Sequence, residues 1–176
     1  YAMTSPITTG GTRGNEKHVG TFHPRSFNMG ISREVYEQTG GYRITRMGED
    51  IEFSIRIIEH GFSTGLIPNA YVYHKRRTNL SQFFKQLHFF GRARINISRF
   101  YPKELKFIHT LPALFTLGTL FLLTLPFWNP ELFNFLVIPF LALFAIIFVH
   151  ASVKNKSLLI GILSSAASFI QLTAYG

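Results

Sequence analysis

The chain has 176 residues, the length of about one domain. Hydrophobic residues make up 47% of it and charged residues only 15%, against about 25% in typical soluble domains, yet its net charge is +9. The hydrophobic content excludes a disordered chain, and the absence of cysteine excludes disulfides, cysteine-ligated zinc and a cysteine nucleophile. Because the sequence opens on Tyr1 without a signal peptide, we expect it to be a piece of a longer protein.

The first predicted elements are a strand and a short helix. Residues 26–31 form a strand-like run, and Ser32 is a suitable N-cap for a helix that runs to Gln38. Gly40 and Gly41 follow and should end this helix.

A second helix is predicted for residues 49–60, where isoleucines recur at helical spacing before a stop at Gly61. Two short strands are predicted after it, over residues 63–67 and 70–74. Strands mixed with helices predict an α/β fold for residues 20–80, whereas residues 1–19 are predicted to be a loop.

Several residues in this segment could carry chemistry. Glu49 and Asp50 open a helix, where carboxylates are favoured as caps, but one of them could instead act as a general base. His74, at a predicted strand end, could be structural or could bind a metal. Arg25 and Asn28 could contact a substrate, although their spacing does not require it.

Residues 81–106 are predicted to form a basic collar before the apolar part of the chain. A helix over residues 81–100 places aromatic and aliphatic side chains on one side and a basic stripe on another. Residues 75–106 carry nine Lys and Arg and one acidic residue. Such a segment suits the headgroups of an anionic membrane better than nucleic acid, because an apolar run follows it directly.

Three apolar runs follow, over residues 107–128, 132–149 and 157–175. Each approaches the roughly 20 residues that a helix needs to cross a bilayer, so two to three transmembrane helices are expected. The positive-inside rule places residues 1–106 and the link 150–156 on the cytoplasmic side of a cell (inner) membrane.

Five segments follow one another in the first part of the chain, which are FNMGISRE at 27–34, TGGY at 39–42, MGEDIEFSIR at 47–56, GF at 61–62 and IPNAYVYH at 67–74. Their order resembles the second half of a membrane-bound bacterial family 2 glycosyltransferase of the GT-A fold. This resemblance implies inverting transfer of a sugar from a nucleotide-sugar donor to a lipid-linked or membrane-associated acceptor.

The resemblance also implies roles for individual residues. Asp50 corresponds to the catalytic base and Glu49 to a neighbour that helps to position the acceptor. His74 corresponds to a ligand of a divalent metal, Mg or Mn. Gln86 and Arg92 correspond to a substrate-binding motif of processive members, but the tryptophan of that motif is absent, which favours transfer of a single sugar.

Residues 1–80 would then be the end of a catalytic domain, 81–106 an interfacial helix and collar, and 107–176 the membrane helices. The nucleotide-binding half would lie upstream, so the chain alone should be inactive. Two alternatives remain open. One is a non-catalytic membrane anchor whose basic helix binds anionic lipid or a partner protein. The other is a metal-dependent phosphoryl-transfer enzyme that uses Glu49, Asp50 and His74.

Overall fold

The computed structural model describes residues 1–3, 5, 7–8, 22–44, 46–67, 69–73, 75 and 77–176. The described residues form α-helices joined by loops and short 3-10 turns, and they contain no β-strand. In chain order the helices are α1 (Arg33–Thr39), α2 (Glu49–Glu59), α3 (Leu80–Ser98), α4 (Leu111–Thr124), α5 (Pro130–Asn155) and α6 (Leu158–Tyr175).

The predicted α/β fold, and with it the GT-A architecture, is wrong for the part of the chain that the structure describes. The first predicted strand is replaced by a 3-10 turn, Ser26–Asn28, and the described residues of the other two form no strand, only an isolated β-bridge at Thr64. A strand needs a neighbour for its backbone groups and for one face of its side chains. Instead, the residues expected to pack are exposed, Ile67 at 70%, Tyr71 at 69% and Tyr73 at 94%.

The two helices predicted before residue 61 are confirmed. The Ser32 hydroxyl caps α1 by accepting a hydrogen bond from the Val35 amide, and Gly40 ends the helix with a positive φ of 71°. Helix α2 begins at Glu49 and ends at Glu59, and Gly61 follows with a φ of 82°. Serine is a favoured N-cap because its hydroxyl accepts a free amide, and glycine is favoured at a helix end because it adopts a positive φ without steric cost.

The chain divides into two compact units. The hairpin unit comprises Tyr1–Gly11, Asn79–His88 and Lys106–Gly176, and the acid-pair unit comprises Thr12–Thr78 and Phe89–Leu105. Helix α3 therefore contributes its first half to the former and its second half to the latter. The three predicted domains stay a prediction.

Helices α5 and α6 of the hairpin unit form an antiparallel pair. Gly161 of α6 faces Ser152 and Phe148 of α5, and further along α6 the Ser165 hydroxyl donates to the Phe144 carbonyl at 3.3 Å. Residue numbers rise on one helix as they fall on the other, and only Lys156 and Ser157 separate the two helices.

Four phenylalanines join the three helices of the hairpin unit. Their ring centroids lie 5.2–6.3 Å apart in stacked, tilted and edge-on arrangements. They are Phe115 of α4, Phe140 and Phe144 of α5, and Phe169 of α6. These aromatic contacts hold α4, α5 and α6 together.

Two of the helices, α5 and α6, are long and apolar enough to cross a membrane. At 1.5 Å per residue they measure about 39 and 27 Å, against about 30 Å for a bilayer core. The first predicted span is shorter, since α4 has 14 residues and continues only as a 3-10 turn, Leu125–Phe127. Pro126, which lacks an amide hydrogen, lies in that turn.

The acid-pair unit is built around α2. Ile51 and Ile55, two of the residues predicted to share a face, form its apolar core with Ile97 of α3, and Tyr101 packs against them. This packing fixes the N-terminus of α2 against the second half of α3.

Candidate functional site

The backbone before the acid pair is strained. Arg46, Met47 and Gly48 all have a positive φ, of 73°, 60° and 100°. For a residue with a side chain this conformation costs about 1–3 kcal/mol, and it persists only where the surroundings impose it. One contact that holds this backbone comes from Asn96 on α3, whose side-chain amide donates to the Met47 carbonyl at 3.2 Å.

Gly48 brings the start of α2 against α3. A Cβ at this position would lie 2.6 Å from Cδ1 and 2.9 Å from Cγ1 of Ile97. Glycine is therefore needed for both its φ and its small size, and Glu49 and Asp50 are presented at a defined place on the unit.

The carboxylates of the acid pair make different contacts. The Glu49 carboxylate turns back to accept the Gly48 amide at 3.1 Å, whereas Asp50 Oδ1 accepts the Ile51 amide at 2.9 Å. Both lie in the first turn of α2, where the helix dipole favours negative charge. Only 12% of the Asp50 side chain is exposed.

Arg25 lies beside Asp50. Its Nη1 is 3.6 Å from Asp50 Oδ2, and its guanidinium lies over the ring of Phe90 on α3, 5.5 Å from the centroid. The site thus combines a largely buried carboxylate, a cation and an aromatic face. Of the residues predicted to contact substrate, Arg25 is the one that the structure brings to the acid pair.

Tyr42 was not identified from the sequence. Burial raises the pKa of its hydroxyl above the usual 10, and the nearby charges of Asp50 and Glu49 raise it further. The phenol is therefore neutral at physiological pH and lies within electrostatic reach of both carboxylates. Its ring packs edge-on against Phe53 of α2, with centroids 5.3 Å apart.

A buried ion pair, also missed, supports the site from within α2. Arg56 binds Glu52 through two hydrogen bonds, Nε to Oε1 at 2.8 Å and Nη2 to Oε2 at 3.0 Å, and both side chains are nearly inaccessible. Arg56 also donates to the carbonyls of Thr39 and Gly41. The hydrogen bond to Glu52 raises the pKa of Arg56, and burial opposes that shift.

Tyr101 completes this cluster. Its hydroxyl donates to Glu52 Oε1 at 3.2 Å, and burial together with the Glu52 charge raises its pKa. The spacing of Glu52 and Arg56 is that of an i,i+4 helix pair, which the sequence could have indicated. The contact with Tyr101 spans 49 residues and has no local signal.

A second polar contact, between His23 and Ser54, was likewise missed. His23 Nδ1 lies 2.7 Å from Ser54 Oγ, and this hydroxyl donates to the Ile51 carbonyl at 2.8 Å. Ser54 is fully buried, so the pair attaches the segment containing Arg25 to α2 and does not present a nucleophile.

The other predicted site residues do not join this cluster. The exposed Asn28 donates from Nδ2 to the Ala70 carbonyl at 3.2 Å. Gln86 is half-buried on the part of α3 that belongs to the hairpin unit, and Arg92 is exposed on the same helix. His74 lies outside the described residues.

The described residues contain no group of three or more His, Asp or Glu side chains that could hold a metal ion. His74, the one metal ligand that the resemblance implied, lies outside the described residues, so the expected Mg or Mn stays a prediction.

No protein-family model matches the sequence, and neither the curated proteins nor the solved structures contain a significant match.

Proposed function

We propose that the chain belongs to a membrane-associated enzyme that transfers a sugar with inversion, and that Asp50 is its general base. The observation that carries the proposal is the geometry of Asp50, a largely buried carboxylate at a helix N-terminus with Arg25 beside it. The sequence resemblance to family 2 glycosyltransferases supports the same role, without the fold that the resemblance implied.

The contacts of Asp50 suit a base. Oδ1 is oriented by the hydrogen bond from the Ile51 amide, and Oδ2 lies 3.6 Å from Nη1 of Arg25. An oriented carboxylate within hydrogen-bond reach of an acceptor hydroxyl can take its proton during attack. The Tyr42 phenol, neutral and within electrostatic reach of Asp50, would supply a hydrogen-bond donor for the acceptor.

The proposed step balances as a single displacement. The acceptor oxygen forms a bond to the anomeric carbon of a nucleotide-sugar donor as the bond from that carbon to the diphosphate oxygen breaks. The electron pair of the broken bond leaves with the nucleoside diphosphate, and the acceptor proton passes to Asp50. No enzyme nucleophile is needed.

The proposed location is the cytoplasmic face of a cell membrane. Two helices able to cross a membrane support membrane association, and the excess of Lys and Arg before α4 supports a cytoplasmic position for residues 1–106. A lipid-linked or membrane-associated acceptor fits this arrangement.

The test is Asp50→Asn in the complete protein, reconstituted in lipid and supplied with labelled nucleotide sugars and a lipid-extract acceptor. The amide oxygen of the substituted side chain can still accept the Ile51 hydrogen bond, so the change removes mainly the negative charge and the basicity. We expect turnover to fall by about 10²- to 10⁴-fold with donor binding unchanged.

Glu37→Gln is the matched control, because Glu37 is an exposed acid on α1 that pairs with Arg33 on the surface. Such pairs contribute little, so this variant should retain full turnover. Near-normal turnover of Asp50→Asn would refute the base assignment and favour the anchor without catalysis. Transfer by the present chain alone would contradict the expectation that the donor site lies elsewhere.

A further inference from the structure

The second half of α3 presents a cationic face on the side opposite to the candidate site. Ala93 and Ile97 are buried, at 5% and 1% exposure, and face the start of α2. Arg92 and Ile95 lie about half a helical turn away from them and are exposed, Ile95 at 54%. The helix therefore closes the acid-pair unit with one side and leaves the other uncovered within that unit.

The cationic face continues past the end of the helix. It consists of Arg92, Ile95, Arg99, Phe100 and Lys103, all exposed and all within the acid-pair unit. Phe100, at 61% exposure, is the most open of the apolar members. Cations and large apolar side chains alternate along this surface.

The charges of this face are not neutralised within the described part of the unit. Residues 89–105 carry four Lys and Arg and a single acid, Glu104. None of the ion pairs among the described residues involves Arg92, Arg99 or Lys103. Their charges are therefore available to an external anion.

We propose that this cationic face binds an anionic lipid surface, with the cations at the phosphates and the apolar side chains among the upper acyl chains. The cations favour a negatively charged partner. The exposed Ile95 and Phe100 between them favour a partner that also has an apolar layer beneath its charged surface, as an anionic membrane does. The face precedes, in the chain, two helices able to cross a membrane, and basic segments in that position attract anionic headgroups.

The proposal is independent of sugar transfer, since it uses none of the acid-pair residues. The lipid would hold the outer side of α3, whose inner side carries the contacts of Ile97 with Gly48 and of Asn96 with Met47. The acid pair would thereby be attached to the membrane surface through a single helix.

The absence of cysteine makes a direct test possible. A single Ile95→Cys variant of the full chain is labelled with a polarity-sensitive fluorophore and placed in nanodiscs of neutral phosphatidylcholine, or of the same lipid with 30% phosphatidylglycerol. We expect a blue shift of emission only with the anionic lipid, reversed by 0.5 M salt. The matched control label at Glu37→Cys, on the exposed side of α1, should not shift.

Neutralising the face should abolish the effect. In the Ile95→Cys background, Arg92→Gln, Arg99→Gln and Lys103→Gln together should lower the bound-to-free ratio about a hundredfold, or about fivefold for each cation. Because these side chains are exposed, circular dichroism should stay unchanged.

Three outcomes would overturn the proposal. The first is an unshifted label in both lipids, which would leave the face to a protein or nucleic-acid partner. The others are equal shifts in neutral and anionic lipid, and a shift that survives the triple substitution.

Discussion

Substitution of Gly48 by alanine would test how the start of α2 is held in place. Two costs can be worked from the structure. The φ of 100° costs an L-residue about 1–2 kcal/mol, and the added Cβ would meet Ile97 at 2.6 and 2.9 Å, an overpacking that costs about 1–3 kcal/mol. We therefore expect the acid-pair unit to lose about 2–5 kcal/mol.

Amide hydrogen exchange measures this loss locally, since protected amides of α2 report the free energy of opening. At a factor of ten for each 1.4 kcal/mol, protection in α2 should fall between roughly 30-fold and a few thousand-fold. The hairpin unit supplies an internal reference, because amides of α5 should keep their wild-type protection.

Gly61→Ala separates the two costs. Gly61 also has a positive φ, of 82°, but nothing lies within 4 Å of the Cβ position. This variant should show the backbone cost alone, about 1–2 kcal/mol.

Ile97→Ala supplies the complementary control, because it removes both atoms that the new Cβ would meet. The double variant Gly48→Ala/Ile97→Ala should lose less stability than the sum of the losses of the two single variants. The difference should equal the steric cost. If Gly48→Ala were no more disruptive than Gly61→Ala, or if the two single losses were additive, the close contact between Gly48 and Ile97 would be wrong.

Two further predictions concern a titration and the helix pair. The Tyr42 phenol, followed by ¹³C-tyrosine NMR, should titrate above pH 10. Asp50→Asn should lower this pKa, although burial should still keep it above 10. An unchanged pKa in the variant would contradict the proximity of Tyr42 to Asp50. Because the folded pKa is raised, stability from this group is full below pH 10 and is lost as the pH rises through the folded value. Gly161→Ala should cost about 1–3 kcal/mol, since its Cβ would collide with Ser152 Oγ and would lie 2.9 Å from the Phe148 carbonyl oxygen of α5. Gly118→Ala is the control and should not destabilise the protein, because nothing lies within 4 Å of the Cβ position. The stabilities of the two variants can be compared by unfolding in SDS, followed by fluorescence of the single tryptophan, Trp128. Equal stabilities would refute close packing of α5 on α6.

The helices were predictable because their signals are local. A capping hydroxyl at Ser32 and glycines at 40 and 61 determine where a helix begins or ends through the backbone of a few adjacent residues. The apolar runs that became α5 and α6 were equally clear, since a helix satisfies its own backbone whatever surrounds it.

The strands were not predictable in the same way. Alternating aromatic and β-branched residues at 70–73 indicate a surface that could be half-buried, but a strand also needs a neighbour, which a local pattern does not supply. The described residues of the segments 63–67 and 70–74 form no strand beyond an isolated bridge at Thr64, and Tyr73 is almost fully exposed.

For the candidate site, the sequence by itself determined the acid pair, its place in the first turn of α2 and the concentration of positive charge before the apolar helices. Only the tertiary structure decided that Arg25 lies beside Asp50, that Tyr42 is within reach of its charge, and that Glu52 is buried beneath Tyr101. The physical reason is range. Capping, helix periodicity and charge density act over a few residues, whereas these contacts join segments 8 to 49 residues apart, which only packing brings together.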